Sequence, residues 1–327
     1  MFNVSDFHAE ILQIESDSDF LKMALKIFNY QYQSNSVYQE YCDLLKIVPT
    51  EIKQLRDIPF LPISFFKTHE IKSGEFNSEA CFKSSGTTSM ITSRHHVKSL
   101  EIYKASFLKS FQIYYGSPKD YVIIGLLPNY LEREGSSLVY MVDQLIKLSE
   151  HVDSGFYLHN QNDLVNFITH YSGSKKIFLI GVSYALMDLA QNYNLDLSKY
   201  VVMETGGMKG QRKEISKAEL HKILKQGLKV KDIHSEYGMT ELLTQAYSFS
   251  NGHFSCPPWM KILIRETNDP FSYVTNKSGG INVIDLANIH SCAFIATQDL
   301  GRYEGEFFNL LGRFDHSDLR GCNLLVQ

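Results

Sequence analysis

The sequence predicts an α/β fold in which parallel strands are covered by helices on both faces and a β-rich part follows at the C-terminal end. Three observations carry this expectation. Strand-length apolar runs alternate with helically spaced apolar residues between about residues 121 and 226. Ahead of them, the stretch up to about residue 75 is patterned for helices. Beyond about residue 255, short β-type runs follow one another.

In chain order, Leu21, Ala24, Leu25 and Phe28 recur at helical spacing, as do Tyr38, Tyr41, Leu44 and Leu45. Pro59 and Pro62 break the pattern around Phe60 and Leu61. No Gly/Ser/Pro linker follows. Residues 1–75 are therefore expected to be a helical N-terminal portion packed on a core at 76–327, together one structural unit. Buried strands are expected at 121–127, 176–181 and 200–203, and helices at 137–148, 184–191 and 212–226. Further short strands are expected at 262–264, 281–284 and 293–296, with Gly279-Gly280 as a turn between two of them. This end reads as an antiparallel region lying beside the α/β part.

Composition excludes several classes of function. The chain has 327 residues, 44% hydrophobic and 21% charged, as a soluble globular protein with a large core has. Its 32 basic and 36 acidic residues form no long basic run, so no nucleic-acid partner is expected. No stretch reaches the ~18 apolar residues of a membrane span. The N-terminus, with Asp6, Glu10, Glu15, Asp17 and Asp19, does not read as a signal peptide. Cys42, Cys81, Cys256, Cys292 and Cys322 are scattered with no C-x-x-C pair, against a zinc ribbon or a disulfide scaffold. A reducing cytoplasm is the expected location.

The chemistry-bearing segments come in order. Ser84, Ser85, Gly86, Thr87, Thr88 and Ser89 place five hydroxyls and a glycine in six residues. Such a loop can surround phosphate oxygens with N–H and O–H donors, although polar surface loops have the same composition. It lacks the Gly-Lys-Ser/Thr end of a Walker loop. His95 and His96 follow it and read as a surface pair. Residues 236–241 are Glu-Tyr-Gly-Met-Thr-Glu. There Glu241 is a hard oxygen ligand suited to Mg²⁺, Thr240 adds a hydroxyl, and Tyr237 offers a flat face for a base; the bland alternative is a strand end and turn. Asp299, in Thr-Gln-Asp-Leu-Gly-Arg, can accept both ribose hydroxyls from a strand end, or simply sit in a turn. Gly312-Arg313-Phe314-Asp315 and Leu319-Arg320-Gly321 come last.

In this order the four segments resemble the adenylate-forming enzymes, and more narrowly the acyl-protein synthetases of bacterial luminescence operons. The narrower likeness lies in residues 82–89, 204–210 and 319–322. The resemblance implies the large-domain fold of those enzymes: mixed sheets with flanking helices and a β-rich C-terminal part. It implies ATP and Mg²⁺ as cofactors, with the 84–89 loop on the triphosphate, Gly206 and Gly207 lining the adenine pocket, and Tyr237 and Gly238 at the base. Thr240 and Glu241 would stand at the metal, Asp299 on the ribose, and Gly312-Arg313 at a hinge. The substrate implied is a fatty or other carboxylic acid, with a pocket around residues 126–131 and 136–138.

The chain ends six residues after Gly321. The expectation is that the small C-terminal domain of the wider superfamily, and the lysine it carries, are lacking. Lys209, Arg302, Arg313 or a partner protein would then supply the cation at the α-phosphate. Cys322 matches the position at which the resembled enzymes carry their acyl group, and a thiolate there can attack an acyl-adenylate. A small apolar residue near a chain end is the plain alternative. The acyl would pass to an acyl-CoA reductase-like protein or an acyl carrier. Two other functions stay open: a stand-alone acyl- or aryl-CoA ligase, and a non-catalytic nucleotide-binding partner subunit.

Overall fold

The computed structural model describes residues 9–84, 91–128, 135–206 and 215–314. Its strands are β1 (Leu61–Pro62), β2 (Ala80–Lys83), β3 (Arg94–Val97), β4 (Tyr121–Leu126), β5 (Gly155–Phe156), β6 (Lys176–Val182), β7 (Val201–Thr205), β8 (His234–Tyr237), β9 (Ala246–Ser248), β10 (Phe254–Ser255), β11 (Met260–Arg265), β12 (Gly279–Asp285), β13 (Phe294–Glu304) and β14 (Phe307–Arg313). Twelve of them make one sheet in the order β11-β12-β13-β14-β10-β9-β8-β7-β6-β4-β5, with β1 pairing β13 off that path. β2 and β3 form a separate antiparallel hairpin.

The sheet has two halves of different character. Strands β5, β4, β6, β7 and β8 run parallel. Two of them are continuous apolar runs, as strands covered on both faces require: Val122, Ile123 and Ile124 in β4, and Ile177, Phe178, Leu179 and Ile180 in β6 are all buried. Each such side chain contributes about 1.5–3 kcal/mol on leaving water. The direction reverses between β8 and β9. From β9 through β10, β14, β13, β12 and β11 every neighbouring pair is antiparallel.

Helices alternate with the parallel strands. Ser137–Ser149 is capped by the Ser136 side chain, which accepts the Val139 N–H. Ser183–Asn192 and Lys217–Leu228 follow β6 and β7. At the N-terminal end, Asp17–Ser34 is capped by Ser16, with Asp17 and Asp19 in its positively polarised first turn. Its Phe28 and the neighbouring Tyr38 contact Phe294 of β13. Buried Gln31 donates to the Asn288 and Ile289 carbonyls and accepts from the Ala293 N–H. Among the described residues, no helix is long and apolar enough to cross a membrane.

Four expectations are corrected. The antiparallel strands do not lie beside the parallel ones; they continue the same sheet, because the chain reverses at 238–245 and β9 pairs straight back onto β8. Gly279 and Gly280 are not a turn but the first two residues of β12, opposite Gly301 and Leu300. Their lack of a side chain makes room for buried Arg265, since a Cβ on Gly280 would lie 2.5 Å from its guanidinium carbon. That guanidinium donates to the carbonyls of Ile281 and Thr297 and to Asn282 Oδ1. Asp299 is not at a strand end but within the eleven-residue β13, next to a register shift at Leu300/Gly301. His95 is no surface residue: it is 1% exposed. The period-2 pattern of a four-residue strand is too short to tell its inner from its outer face.

Candidate functional site

Segments far apart in sequence meet where the parallel half of the sheet gives way to the antiparallel half. β8 delivers Tyr237 to this junction, and β13 and β14 deliver Asp299 and Arg313, which are direct cross-strand partners. The Tyr237 hydroxyl donates to Asp299 Oδ2 at 2.9 Å, and Arg313 Nε donates to Oδ1 at 3.0 Å. One carboxylate therefore fixes both a phenol and a guanidinium. Asp299 is 8% exposed, whereas the Arg313 side chain is 75% exposed and faces solvent. The Tyr237 ring is packed by Phe254 and Phe308, at 6.0 and 5.6 Å between centroids. Burial, and then the Asp299 charge, hold its hydroxyl protonated, so it stays a donor.

The loop after Tyr237 carries Gly238, Thr240 and Glu241. A Cβ at Gly238 would lie 2.3 Å from Glu236 Oε1, so only glycine leaves that carboxylate in place. Glu236 in turn accepts the Thr205 hydroxyl at 2.5 Å. Below the loop, Asp285 at the end of β12 accepts the N–H groups of Leu243 (2.7 Å) and Thr244 (3.0 Å) and the Thr244 hydroxyl (2.6 Å). It also accepts the Ala287 N–H at 3.2 Å. Burial pushes the Asp285 carboxyl up to about 6, and these four donors oppose the rise. Asn288 Nδ2 donates to the Glu241 carbonyl at 2.6 Å. The Glu241 side chain is 5% exposed. Burial raises its pKa, against the Ser93 hydroxyl and the Arg313 and Lys67 charges.

Ser93 also belongs to the stem of the hydroxyl-rich loop. β2 and β3 end at the pair Lys83 and Arg94. The Ser84 N–H donates to the Ser93 carbonyl at 3.1 Å, and the Ser93 N–H donates to Ser84 Oγ at 2.9 Å. Ser84 thus closes the loop at its base. Ser85, Gly86, Thr87, Thr88 and Ser89 lie outside the described residues, as do Gly207, Lys209 and Cys322. Gly206, at φ 67°, directly follows β7, and its carbonyl accepts the Ser183 hydroxyl at 3.1 Å. Arg302 ion-pairs with Glu304 rather than with Asp299. Leu126 and Leu127 of the expected acyl pocket are buried, and residues 129–134 lie outside the described residues.

Sequence reasoning missed several residues that shape this site. Asp285, Asn288, Ser93 and His95 grip the loops from behind. Glu204, just before Gly206, is 1% exposed and receives Lys217 Nζ at 2.6 Å, with His221 Nε2 at 3.5 Å. Burial works against its ionised form. The Lys217 charge and hydrogen bonds from His221, Lys217 and Ser235 outweigh burial and hold its carboxyl at about 2. The one available signal was an acidic residue closing an apolar strand run, at Glu204 in Val-Val-Met-Glu and at Asp285 in Asn-Val-Ile-Asp. Among the described residues, no three His, Cys, Asp or Glu side chains gather into a metal cluster. The four described cysteines are free. Burial raises the thiol of each, to about 12 for Cys42, Cys256 and Cys292.

A family model described as acyl-protein synthetase, LuxE, matches residues 10–327. A long-chain-fatty-acid–luciferin-component ligase of Photorhabdus luminescens is 37% identical over 70 residues, 21% of this chain and 60% of that protein. Among solved structures, ATP-bound MatB from Rhodopseudomonas palustris is similar over 72% of this chain and 48% of its own, at 16% identity and a TM-score of 0.55. The chain thus matches about half of MatB's length. An open conformation of 2-hydroxyisobutyryl-CoA ligase, in complex with 2-HIB-AMP and CoA, is similar over 92% of this chain and 75% of its own, at 13% identity and a TM-score of 0.67. At these identities the likeness is one of fold, and the fold is that of adenylate-forming ligases. With the family model spanning nearly the whole sequence, the chain belongs to the LuxE acyl-protein synthetase family.

Proposed function

We propose that this protein activates a fatty acid with ATP and Mg²⁺ to form acyl-AMP, then passes the acyl group to a protein thiol. The observation that carries the reading is the convergence of Tyr237, Asp299 and Arg313 with Glu241 and the stem of the hydroxyl-rich loop at one junction of the sheet. In the first step a carboxylate oxygen of the acid bonds to the α-phosphorus of ATP, and pyrophosphate leaves with the electron pair. In the second, a thiolate attacks the acyl carbonyl and AMP leaves.

Each residue has a role that its surroundings support. Among the described residues, each Asp299 oxygen accepts one bond, which leaves it a lone pair for a ribose hydroxyl. Arg313, held by Asp299 and open to solvent, is placed to meet negative charge on the phosphates. The 84–89 loop would cradle the triphosphate from a base closed by Ser84 and Ser93. Gly206 and Gly207 would border the adenine. Glu241 would hold Mg²⁺: a single carboxylate fits an ion that takes its remaining ligands from phosphate and water, and a carboxylate raised by burial gains from a cation beside it. The bound ion would neutralise phosphate charge during the displacement. Cys322 is the proposed thiol, and an acyl-CoA reductase-like protein or an acyl carrier the proposed recipient.

The test is incubation of the purified protein with radiolabelled fatty acid and MgATP, alongside fatty-acid-dependent ATP–pyrophosphate exchange. Exchange, and a covalent acyl label that Cys322→Ala abolishes, are expected. Exchange without a label, with AMP release that needs CoA, would overturn the thiol step in favour of a CoA ligase. Absence of exchange with every acid tried would overturn the activation step.

A further inference from the structure

We propose that His95 is a positioning residue that ties the stem of the hydroxyl-rich loop to the backbone of Thr240 and Glu241, so that the phosphate side and the metal side of the site keep one spacing. The inference rests on the reading of this junction as a MgATP site. His95 lies on β3, two residues beyond Ser93 and opposite Phe82 of β2. Its ring is 1% exposed and meets Phe66 edge-on at 5.9 Å. Nδ1 is 2.8 Å from the Thr240 carbonyl oxygen. A carbonyl only accepts, so Nδ1 carries the proton and donates.

The neighbouring carbonyl, that of Glu241, is held by Asn288 Nδ2, whose amide lies beside the His95 ring. Two successive carbonyls of the metal-side loop are thus gripped from two different elements, and of the two grips the His95 one comes from the stem of the phosphate loop, where the Ser93 hydroxyl also meets the Glu241 side chain. Packing alone does not call for an imidazole here. Among the described residues, His95 Nε2 and Asn288 Oδ1 make no geometrically sound hydrogen bond, although the two side chains are neighbours; with Nδ1 protonated, both atoms are acceptors and cannot satisfy each other. An unpaired buried nitrogen is unfavourable, and an apolar ring would avoid it. What the histidine provides in return is the bond to Thr240. Catalytic groups displaced by about 1 Å can lose about 10²-fold in rate, so a fixed spacing between these loops has functional weight.

The test compares His95→Phe, which fills the space without a donor, with His95→Asn, whose amide nitrogen stands as many bonds from Cα as Nδ1 does. Fatty-acid-dependent ATP–pyrophosphate exchange is followed while MgATP, the acid and free Mg²⁺ are varied in turn. His95→Phe is expected to lower kcat/KM for MgATP at least tenfold and raise the Mg²⁺ requirement. The half-saturating acid concentration should stay within twofold. His95→Asn should recover most of the loss, and Asn288→Leu should reproduce the MgATP-side defect. If His95→Phe does not fold, His95→Gln replaces it, since its amide reaches the Nε2 position instead and should not rescue. The proposal is overturned if the donor-less variant stays within twofold of wild type, if Asn does no better than it, or if acid and MgATP parameters move together. A wild type with neither exchange nor calorimetric MgATP binding overturns the site reading and this inference together. An active wild type indifferent to His95 overturns the inference alone.

Discussion

The pair of buried Glu204 and half-buried Lys217 gives the sharpest stability prediction. Glu204 is 1% exposed and Lys217 Nζ lies 2.6 Å from it. The carboxyl sits at about 2 in the folded chain against an ordinary 4.5. At about 1.4 kcal/mol per pKa unit, that difference corresponds to about 3 kcal/mol of stability at neutral pH. Because the folded value is the lower one, this contribution is present above pH 4.5 and is lost as the pH falls from 4.5 towards 2. Lys217→Met keeps most of the side-chain volume and leaves Glu204 charged and buried. It should cost about 3 kcal/mol, within the range of about 3–5 for breaking a buried pair from one side. At roughly 2 °C per kcal/mol for a chain of this size, the midpoint should fall by about 6 °C in differential scanning calorimetry. Adding Glu204→Leu to Lys217→Met should restore most of the loss, because an apolar pair of similar volume is close to neutral. If the double variant is as unstable as Lys217→Met alone, the loss comes from the contact of the Lys217 ammonium with the Phe254 ring, and the account through Glu204 is wrong.

Three further outcomes follow from the same geometry. Glu241→Gln should lower Mg²⁺-dependent ATP–pyrophosphate exchange by about 10²-fold or more, on the scale of removing one electrostatic stabiliser. Its melting temperature should hold or rise, since burial disfavours the ionised Glu241; a coupled fall in both would point to a structural role only. Gly280→Ala should cost about 1–3 kcal/mol in urea unfolding, because its Cβ meets a guanidinium pinned by three hydrogen bonds. A neutral result would mean that Arg265 shifts freely. Asp285→Asn should remove a pH dependence. With a folded value of about 6 against 3.8, the wild type should lose about 3 kcal/mol relative to the variant as the pH rises from about 4 to about 6. A constant difference across urea titrations in that window would refute this.

Three strands of the parallel half, β4, β6 and β7, were legible in the sequence because they are largely buried and read as apolar runs, whereas β5 (Gly-Phe) and β8 (His-Ser-Glu-Tyr) carry no such run. The expected 121–127 and 176–181 became Tyr121–Leu126 and Lys176–Val182. The antiparallel half was legible only as fragments. The expected 293–296 extends to Glu304, because β13 continues through Gln298, Asp299 and Arg302, residues whose polarity masks a strand. The site followed the same division. The residues proposed to meet the nucleotide and the metal carry unusual chemistry in a compact motif, as at 236–241. Residues that hold such a motif from behind do not: Asp285 and Asn288 are separated from it by about forty residues of chain, and His95 by well over a hundred, and only tertiary pairing brings them back. Gly279-Gly280 misled for a related reason, since a glycine required by a neighbour's side chain looks in sequence like one required by a turn.

The placement of the site follows from the reversal of the sheet. A parallel strand exits at its C-terminal end, and its next partner lies one crossover away, which leaves a crevice above the strand ends. β7 and β8 empty Gly206 and Tyr237 into that crevice. An ordinary parallel continuation would leave only loops on the far side. Here β9 turns back onto β8, and the antiparallel strands that follow carry Asp299 and Arg313 to the same place on rigid backbone, in fixed cross-strand register. One wall of the crevice is therefore loops held at their bases by Ser93, His95, Asn288 and Asp285, and the other is paired strand. A single carboxylate, Asp299, spans the seam, with β8 bonded to one oxygen through Tyr237 and β14 to the other through Arg313. Any shift of β8 against β14 must break one of those two bonds, so the register of the antiparallel half fixes the geometry of a site whose motifs begin in the parallel half.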